Sequence, residues 1–232
     1  MDVAASTIVS SDFQDVGCNH FHPVVESATC LGIHNDTTFG EVLYQSGLCA
    51  ANQRVAMQNV TTNDLNFGAS SFSINMWILL YATTNTMVFF GPDVSPTQFD
   101  GPALMYDPTD GIYLADNTNR GTGGYVSTGN SVAFAIDQWY MVTVTYNVLG
   151  GGSASYSIYI NNALHGAFTG AVHTDAFTSG VSLSNYGNSG GVDGYAGWYG
   201  ELYQPAVWLK ALTTDAINTL YNTHDIRTLY SC

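Results

Sequence analysis

Positive charge is what this chain has least of. Only Arg54, Arg120, Lys210 and Arg227 are basic among 232 residues, against 18 acids, for a net charge of −14. Four cations cannot neutralise many phosphates, so nucleic acid and anionic membranes are excluded as partners, and anionic polysaccharides are disfavoured. Charge of either sign is scarce: Asp, Glu, Lys and Arg make up 9% of the chain, against roughly 25% in ordinary soluble domains. The glutamates are Glu26, Glu41 and Glu201, and none has a second acid two residues away. Glycoside hydrolysis sets two carboxylates roughly 5 to 9.5 Å apart across the scissile bond, so no hydrolase is expected. There is no Cys-x-x-Cys pair, which argues against zinc. No apolar run reaches the length of a membrane-spanning helix; Ile74 to Ala82 comes nearest and is too short. Residues 1–17 have neither the basic start nor the apolar run of a signal peptide.

Asn, Thr, Ser, Gly and Tyr must therefore carry the surface, a mixture common in extracellular structural and adhesive β proteins. Cys18, Cys30, Cys49 and Cys232 form an even set outside the main strand-forming region. That set points to two disulfides and an oxidising compartment. Asn35-Asp-Thr37 and Asn59-Val-Thr61 match the N-glycosylation acceptor pattern. Together these features place the protein outside the cell, at a cell surface or in a virion. A chain of this length can hold one sizeable core.

From Arg54 onward, strand-forming runs recur between Gly, Asn, Asp and Pro punctuation. They are Arg54 to Gln58, Phe72 to Tyr81, Thr86 to Phe90, Ala103 to Asp107, Gly111 to Ala115, Val132 to Ala135, Tyr140 to Tyr146, Tyr156 to Ile160, Leu164 to Phe168, Val181 to Leu183 and Gly200 to Trp208. Alternation is clearest in Met141–Tyr146 and in Tyr156, Ile158 and Ile160, as half-buried strands require. Asn161-Asn162 tolerates positive φ and predicts a type I′ hairpin; Gly150–Gly152 predicts another hairpin tip. Residues 18–52 read as loop-rich, with Glu41 to Tyr44 as a short strand. Ahead of them, residues 1–17 form an arm in which Ser6 to Ser10 is strand-capable.

The stretch Gly200–Tyr221, GELYQPAVWLKALTTDAINTLY, runs an aromatic strand into a turn and a short helix. Thr213 is placed to cap that helix, Asp215 suits its dipole, and Ile217 and Leu220 form an i, i+3 pair that can face a sheet. Together with FSINMWI (Phe72–Ile78), WYMVTVTYN (Trp139–Asn147) and YSIYINNALHG (Tyr156–Gly166), it resembles the laminin-G-like branch of the concanavalin A-like lectin/glucanase superfamily. The resemblance spans roughly residues 50 to 222. It implies an all-β fold: a two-sheet antiparallel β-sandwich, or jelly roll, with one short C-terminal helix, as a single domain over residues 18–232. First and last strands usually neighbour each other in this fold, which lets Cys232 reach the N-terminal region. The implied pairings are Cys30 with Cys49 and Cys18 with Cys232. Where the family tends to carry acids this chain has Asn147, Asn161, Tyr203 and Gln204, which weakens transfer of a family metal site.

Relatives of this kind hold calcium with loop carboxylates, so Asp100, Asp107 and Asp110 are candidate ligands. Asp107-Pro-Thr-Asp110-Gly reads equally well as a plain β-turn. No other cofactor is implied. His20-Phe21-His22 with His34 lacks the further support a metal centre needs and reads as exposed loop histidines. In the loop 185–199, Tyr186, Tyr195, Trp198 and Tyr199 can stack sugar rings while Asn and Asp side chains such as Asp193 bind hydroxyls; Trp198 and Tyr199 also read as the start of the last strand, with Trp198 better placed as a core residue. Two functions follow. The first is a non-catalytic structural subunit that binds copies of itself, its arm adding Val3, Ala5, Thr7 and Val9 as a strand to a neighbour's sheet edge or folding back on its own. The second is a lectin-like module for neutral glycans. A binding module ordinarily accompanies another domain, and this chain reads as one sandwich and an arm, which puts assembly first.

Overall fold

The computed structural model describes residues 6–7, 22–26, 31–45, 54–58, 70–92, 102–115, 126–172, 181–183 and 196–229. The four cysteines, Asn59, Val3, Ala5, Val9, Asp100, Tyr186, Asp193 and Tyr195 lie outside them.

Strands are numbered in chain order. The first sheet runs β1 (Ser6–Thr7), β3 (Leu31–Asp36), β4 (Gly40–Gln45), β16 (Gly200–Trp208), β6 (Phe72–Leu80), β11 (Trp139–Gly150), β12 (Ser153–Ile160), β13 (Ala163–Ala171). The second runs β10 (Val126–Ser127), β9 (Gly111–Ala115), β8 (Ala103–Asp107), β7 (Met87–Pro92), β14 (Val181–Leu183), β5 (Arg54–Gln58), β2 (His22–Glu26). β15 (Ala196–Gly197) joins the second sheet beside β7 and is parallel to it. Every other described pairing is antiparallel. This is the two-sheet sandwich with a single α-helix that the sequence implies, and the last strand does meet the N-terminal region, through β4.

The core follows from alternation. Phe72, Ile74, Met76, Ile78 and Leu80 on β6, Val142, Val144 and Tyr146 on β11, and Tyr156, Ile158 and Ile160 on β12 all point to one face. They meet Met87, Phe89, Leu104, Tyr106, Ile112 and Leu114 from the second sheet in one continuous cluster. The other face of β6 is equally buried but partly polar. There Asn75 donates through Nδ2 to Thr143 Oγ1 at 2.7 Å and Val142 O at 3.3 Å. Ser73 Oγ donates to Lys210 O at 3.0 Å and accepts Leu212 N–H at 2.9 Å.

That second contact fixes the approach to α1 (Thr214–Thr223). Thr213 Oγ1 accepts the Ala216 amide at 3.3 Å, as an N-cap should, and the helix ends on His224 at φ 53°. Ile217 and Leu220 are buried against Trp77, Met141 and Trp208 on the outer face of the first sheet. The Asn161-Asn162 turn has both residues at positive φ, 49° and 63°, as type I′ geometry demands. Gly150, Gly151 and Gly152 likewise turn at positive φ.

Two elements differ from the sequence reading, and for the arm one of its two readings is seen. Residues 132–135 are not a strand. Their backbone groups are met by one side chain, Tyr140 Oη, which accepts Ala135 N–H at 2.9 Å and donates to Ala133 O at 3.4 Å. Residues 18–52 contain β2, β3 and β4 rather than mainly loop. In the arm, Ser6 and Thr7 pair with Ile33 and Gly32 of the same chain, so its described part folds back on its own sheet.

Candidate functional site

The outer face of the first sheet has a second half that the helix does not cover. The ladder sets Gly32 beside Tyr44, Tyr44 beside Glu201, and Glu201 beside Leu79 on one cross-strand row. Glu201 is one step out of phase with Leu202, which belongs to the core, so its carboxylate must point outward. Gly200 admits this geometry: at φ 149° it lies so close to Leu79 that an added Cβ would stand 1.9 Å from the Leu79 carbonyl oxygen.

Although it faces outward, the Glu201 side chain is only 2% exposed. Its Oε1 lies 2.5 Å from His34 Nδ1 and also accepts the Tyr81 hydroxyl. Its Oε2 is buried and has no hydrogen-bond partner among the described residues. Aromatic rings stand around it at steep angles. His34 meets Tyr44 at 6.1 Å and 64°, Tyr44 meets Tyr81 at 6.0 Å and 60°, and Tyr81 meets Tyr199 at 5.4 Å and 78°. All four rings are half-buried, so each keeps part of its surface in water. The Tyr81 amide donates to Tyr199 O at 2.9 Å, which locks the two tyrosine-bearing segments together.

A buried carboxylate costs free energy unless donors compensate it. Here two donors share one oxygen and the other has none. The electrostatic consequences fall on the tyrosines. Burial, then the Glu201 hydrogen bond and charge, push the Tyr81 hydroxyl far above its ordinary range. Burial, with Tyr199 and Glu201 behind it, raises Tyr44 in the same direction. No Lys or Arg is among the charges acting on either group. Glu201 is the one carboxylate in contact with the cluster among the described residues; Asp137, on an exposed turn, acts on Tyr81 through its charge.

The sequence-derived candidates fall elsewhere. Trp198 is fully buried in the core and its Nε1 donates to Gly200 O at 3.2 Å. It offers no face to a sugar, and the core reading replaces the ligand reading. Asp107 Oδ1 accepts the Thr109 amide at 2.8 Å and Oδ2 accepts the Thr86 hydroxyl at 2.6 Å. Burial opposes this carboxylate, but the Thr86 and Thr109 hydrogen bonds outweigh it and hold its pKa below the usual range. Asp107 is thus the head of a β-turn with Asp110 three residues on. Among the described residues no three His, Cys, Asp or Glu side chains gather as a metal site. His22 lies on β2 of the second sheet and His34 on β3 of the first, so they are not neighbours on one strand. Asn35 is exposed on β3, beside the turn to β4.

The sequence offered one signal for this site that went unread. Glu201 is a lone glutamate inside an apolar strand, and the residues that meet it, His34 and Tyr81, lie 167 and 120 residues away, beyond the reach of local pattern.

Sandwich topology and an aromatic-rimmed outer face define a lectin-like jelly roll. A sequence model of the laminin-G branch of the concanavalin A-like lectin/glucanases superfamily matches residues 56–218, more than half the chain, and the chain belongs to that family. No curated protein matches the sequence. Among solved structures, the chain is similar to a botulinum neurotoxin type C structure described for its interaction with two ganglioside molecules, at 17% identity and TM-score 0.58. The match covers 91% of this chain and 48% of that one. It is also similar to domain 4 of AbnA, an extracellular arabinanase of Geobacillus stearothermophilus in complex with arabinotriose, at 15% identity and TM-score 0.53, covering 82% and 81%. A third is the botulinum neurotoxin DC binding domain in complex with rat synaptotagmin II, at 16% identity and TM-score 0.58, covering 96% and 52%. The chain thus spans about half the length of the neurotoxin structures it matches. At these identities the likeness shows the fold.

Proposed function

We propose that this protein is a non-catalytic, lectin-like module that binds a glycan on the outer face of its first sheet, at Tyr44, Tyr81, Tyr199, His34 and Glu201. One observation carries the reading: a buried carboxylate ringed by half-exposed tyrosines. Flat apolar faces with a few fixed polar groups are what sugar recognition uses, since sugars present C–H faces and directional hydroxyls. The scarcity of cations favours neutral glycans over sulfated or uronate-rich ones. A hydrolytic role would need a second carboxylate across the bond, and Glu201 has no such companion in the cluster. An extracellular or surface setting fits glycan access, and the arabinotriose complex of AbnA domain 4 makes the same fold a reasonable host for this chemistry. Self-assembly through the arm is the weaker reading, because its described residues already pair within the chain.

Glycan-array screening followed by calorimetry tests the proposal. Tyr199→Ala and Tyr44→Ala should each weaken binding of an array hit by about tenfold, roughly 1.4 kcal/mol, while the melting curve stays cooperative. An array without hits, or a hit that binds both variants as tightly as the parent, overturns it.

A further inference from the structure

We propose that the ligand of this site carries a primary ammonium group, as a glycan with free amino sugars does, and that Glu201 Oε2 receives it. The inference rests on the glycan-binding reading above and narrows it.

Three observations converge. First, Glu201 Oε2 is a buried acceptor with no donor, while Oε1 is occupied by both His34 and Tyr81. An unmet acceptor on a charged group is a large local deficit, recovered when a donor arrives. Second, the rings of Tyr44, Tyr81 and Tyr199 follow one another at 60° and 78°. Successive walls at such angles present ring faces from more than one side, the arrangement that attracts a cation through the ring quadrupoles. Third, the carboxylates acting on the inner tyrosines are Glu201, in contact with Tyr81, and Asp137.

A neutral hydroxyl could satisfy Oε2, but it would leave the negative charge uncompensated. A carboxylate or sulfate ligand would be repelled by Glu201, and His34, which already faces Oε1, is the one basic side chain in contact with the cluster among the described residues. A quaternary ammonium would suit the rings yet bring no N–H for Oε2. A primary ammonium meets both requirements. Because Oε2 is shielded from solvent, the rings must part for it to be reached, so binding should quench or shift tyrosine fluorescence.

The net charge of −14 attracts any polycation, so the test must separate the site from the general field. Short oligomers of glucosamine and their N-acetylated counterparts are titrated into the intact protein by calorimetry in mildly acidic buffer at moderate salt. The free amines should bind about tenfold or more tightly than the acetylated forms. Glu201→Gln should abolish that difference while making the net charge of −14 less negative by only one unit. Should Glu201→Gln fail to fold, Tyr199→Ala in the same titration should reduce the preference severalfold. Equal or tighter binding of the acetylated oligomers overturns the inference and leaves the glycan reading standing. If neither series binds while an array hit binds elsewhere, both readings of this site fall. A lysine-rich peptide that binds in place of the amino sugar also overturns it.

Discussion

The outer face of the first sheet solves one problem in two ways. Over Trp77, Met141 and Trp208 it is covered by hydrocarbon: Ile217 and Leu220 of α1 seal the sheet, and Ile226 beyond the helix extends the cover. Over Glu201 it is covered by tyrosine and histidine rings with a carboxylate beneath. Phe39 stands at the border, stacked on Tyr203 at 4.6 Å and against Trp77 and Trp139 at 5.0 and 4.9 Å. The same alternation places both sets of side chains, so the difference lies in residue type. The apolar half is sealed by side-chain packing. The polar half is buried nearly as well but retains an unmet acceptor, and a protein keeps such a deficit only where the rest of the structure holds it.

The comparison breaks most readily in the apolar half. Ile217→Ala removes a fully buried side chain from the helix–sheet contact and should cost about 2–5 kcal/mol, read by urea unfolding. Ligand affinity of the folded fraction should be unchanged. If affinity falls in step with stability, the two halves are not independent.

Tyr81→Phe tests the polar half. It removes one of the two donors to Glu201 Oε1 and leaves His34 alone, at an expected cost of about 1–3 kcal/mol. Its pH signature is more specific. The folded-state pKa of Tyr81 is raised, so its contribution is fully present below the ordinary tyrosine value of about 10 and is lost as pH rises beyond it. The Phe variant should therefore show a shallower alkaline decline in stability. Tyr44, Tyr106 and Tyr203, raised in the same direction, contribute to what decline remains. Identical alkaline limbs would mean that Glu201 does not hold the Tyr81 proton.

Thr213→Ala loosens the helix without touching the sheet. Loss of the cap to Ala216 N–H should cost about 1 kcal/mol, visible as a small drop in denaturation midpoint. A drop as large as that of Ile217→Ala would show that the cap also holds the Leu212 and Ser73 junction in place.

How legible each half was differs for the same reason. The apolar half could be read from local pattern: Thr213, Asp215, Ile217 and Leu220 carry capping and i, i+3 signals within one helix, and Phe72–Ile78 alternates visibly. The polar half could not, because His34, Tyr44, Tyr81 and Glu201 come from four separate segments joined by sheet register. Knowing that β16 pairs with β4 would have sufficed, since Glu201 then sits beside Tyr44. Trp198 shows the converse error: a tryptophan among glycines looks like a binding residue until its neighbour Gly200 is seen to accept its N–H. Residues 132–135 misled because a β-branched, aromatic run meets its backbone needs through Tyr140 rather than through a partner strand.

The smallest effect should come from the border between the halves. Asp36 Oδ1 accepts the amides of Thr38 at 2.7 Å and Phe39 at 2.9 Å, which turns β3 back into β4 and lays Phe39 across the sheet. Burial opposes the charged carboxylate, yet the Phe39 and Thr38 amides outweigh it and hold its pKa below the usual value. A depressed folded-state pKa contributes stability that is present above the unfolded value of about 3.9 and lost as pH falls through the folded one. Asn keeps the side-chain acceptor and the turn preference but cannot titrate. Asp36→Asn should therefore cost under about 1 kcal/mol at neutral pH, and its urea midpoint should fall less steeply than the parent's below the ordinary aspartate range. If Phe39 is the hinge that keeps the two halves in register, ligand affinity should also be preserved in this variant, because the turn survives. A parallel acid limb in both proteins would remove Asp36 from the account. A loss of affinity with the melting curve unchanged would show that its charge, rather than its turn, serves the neighbouring site.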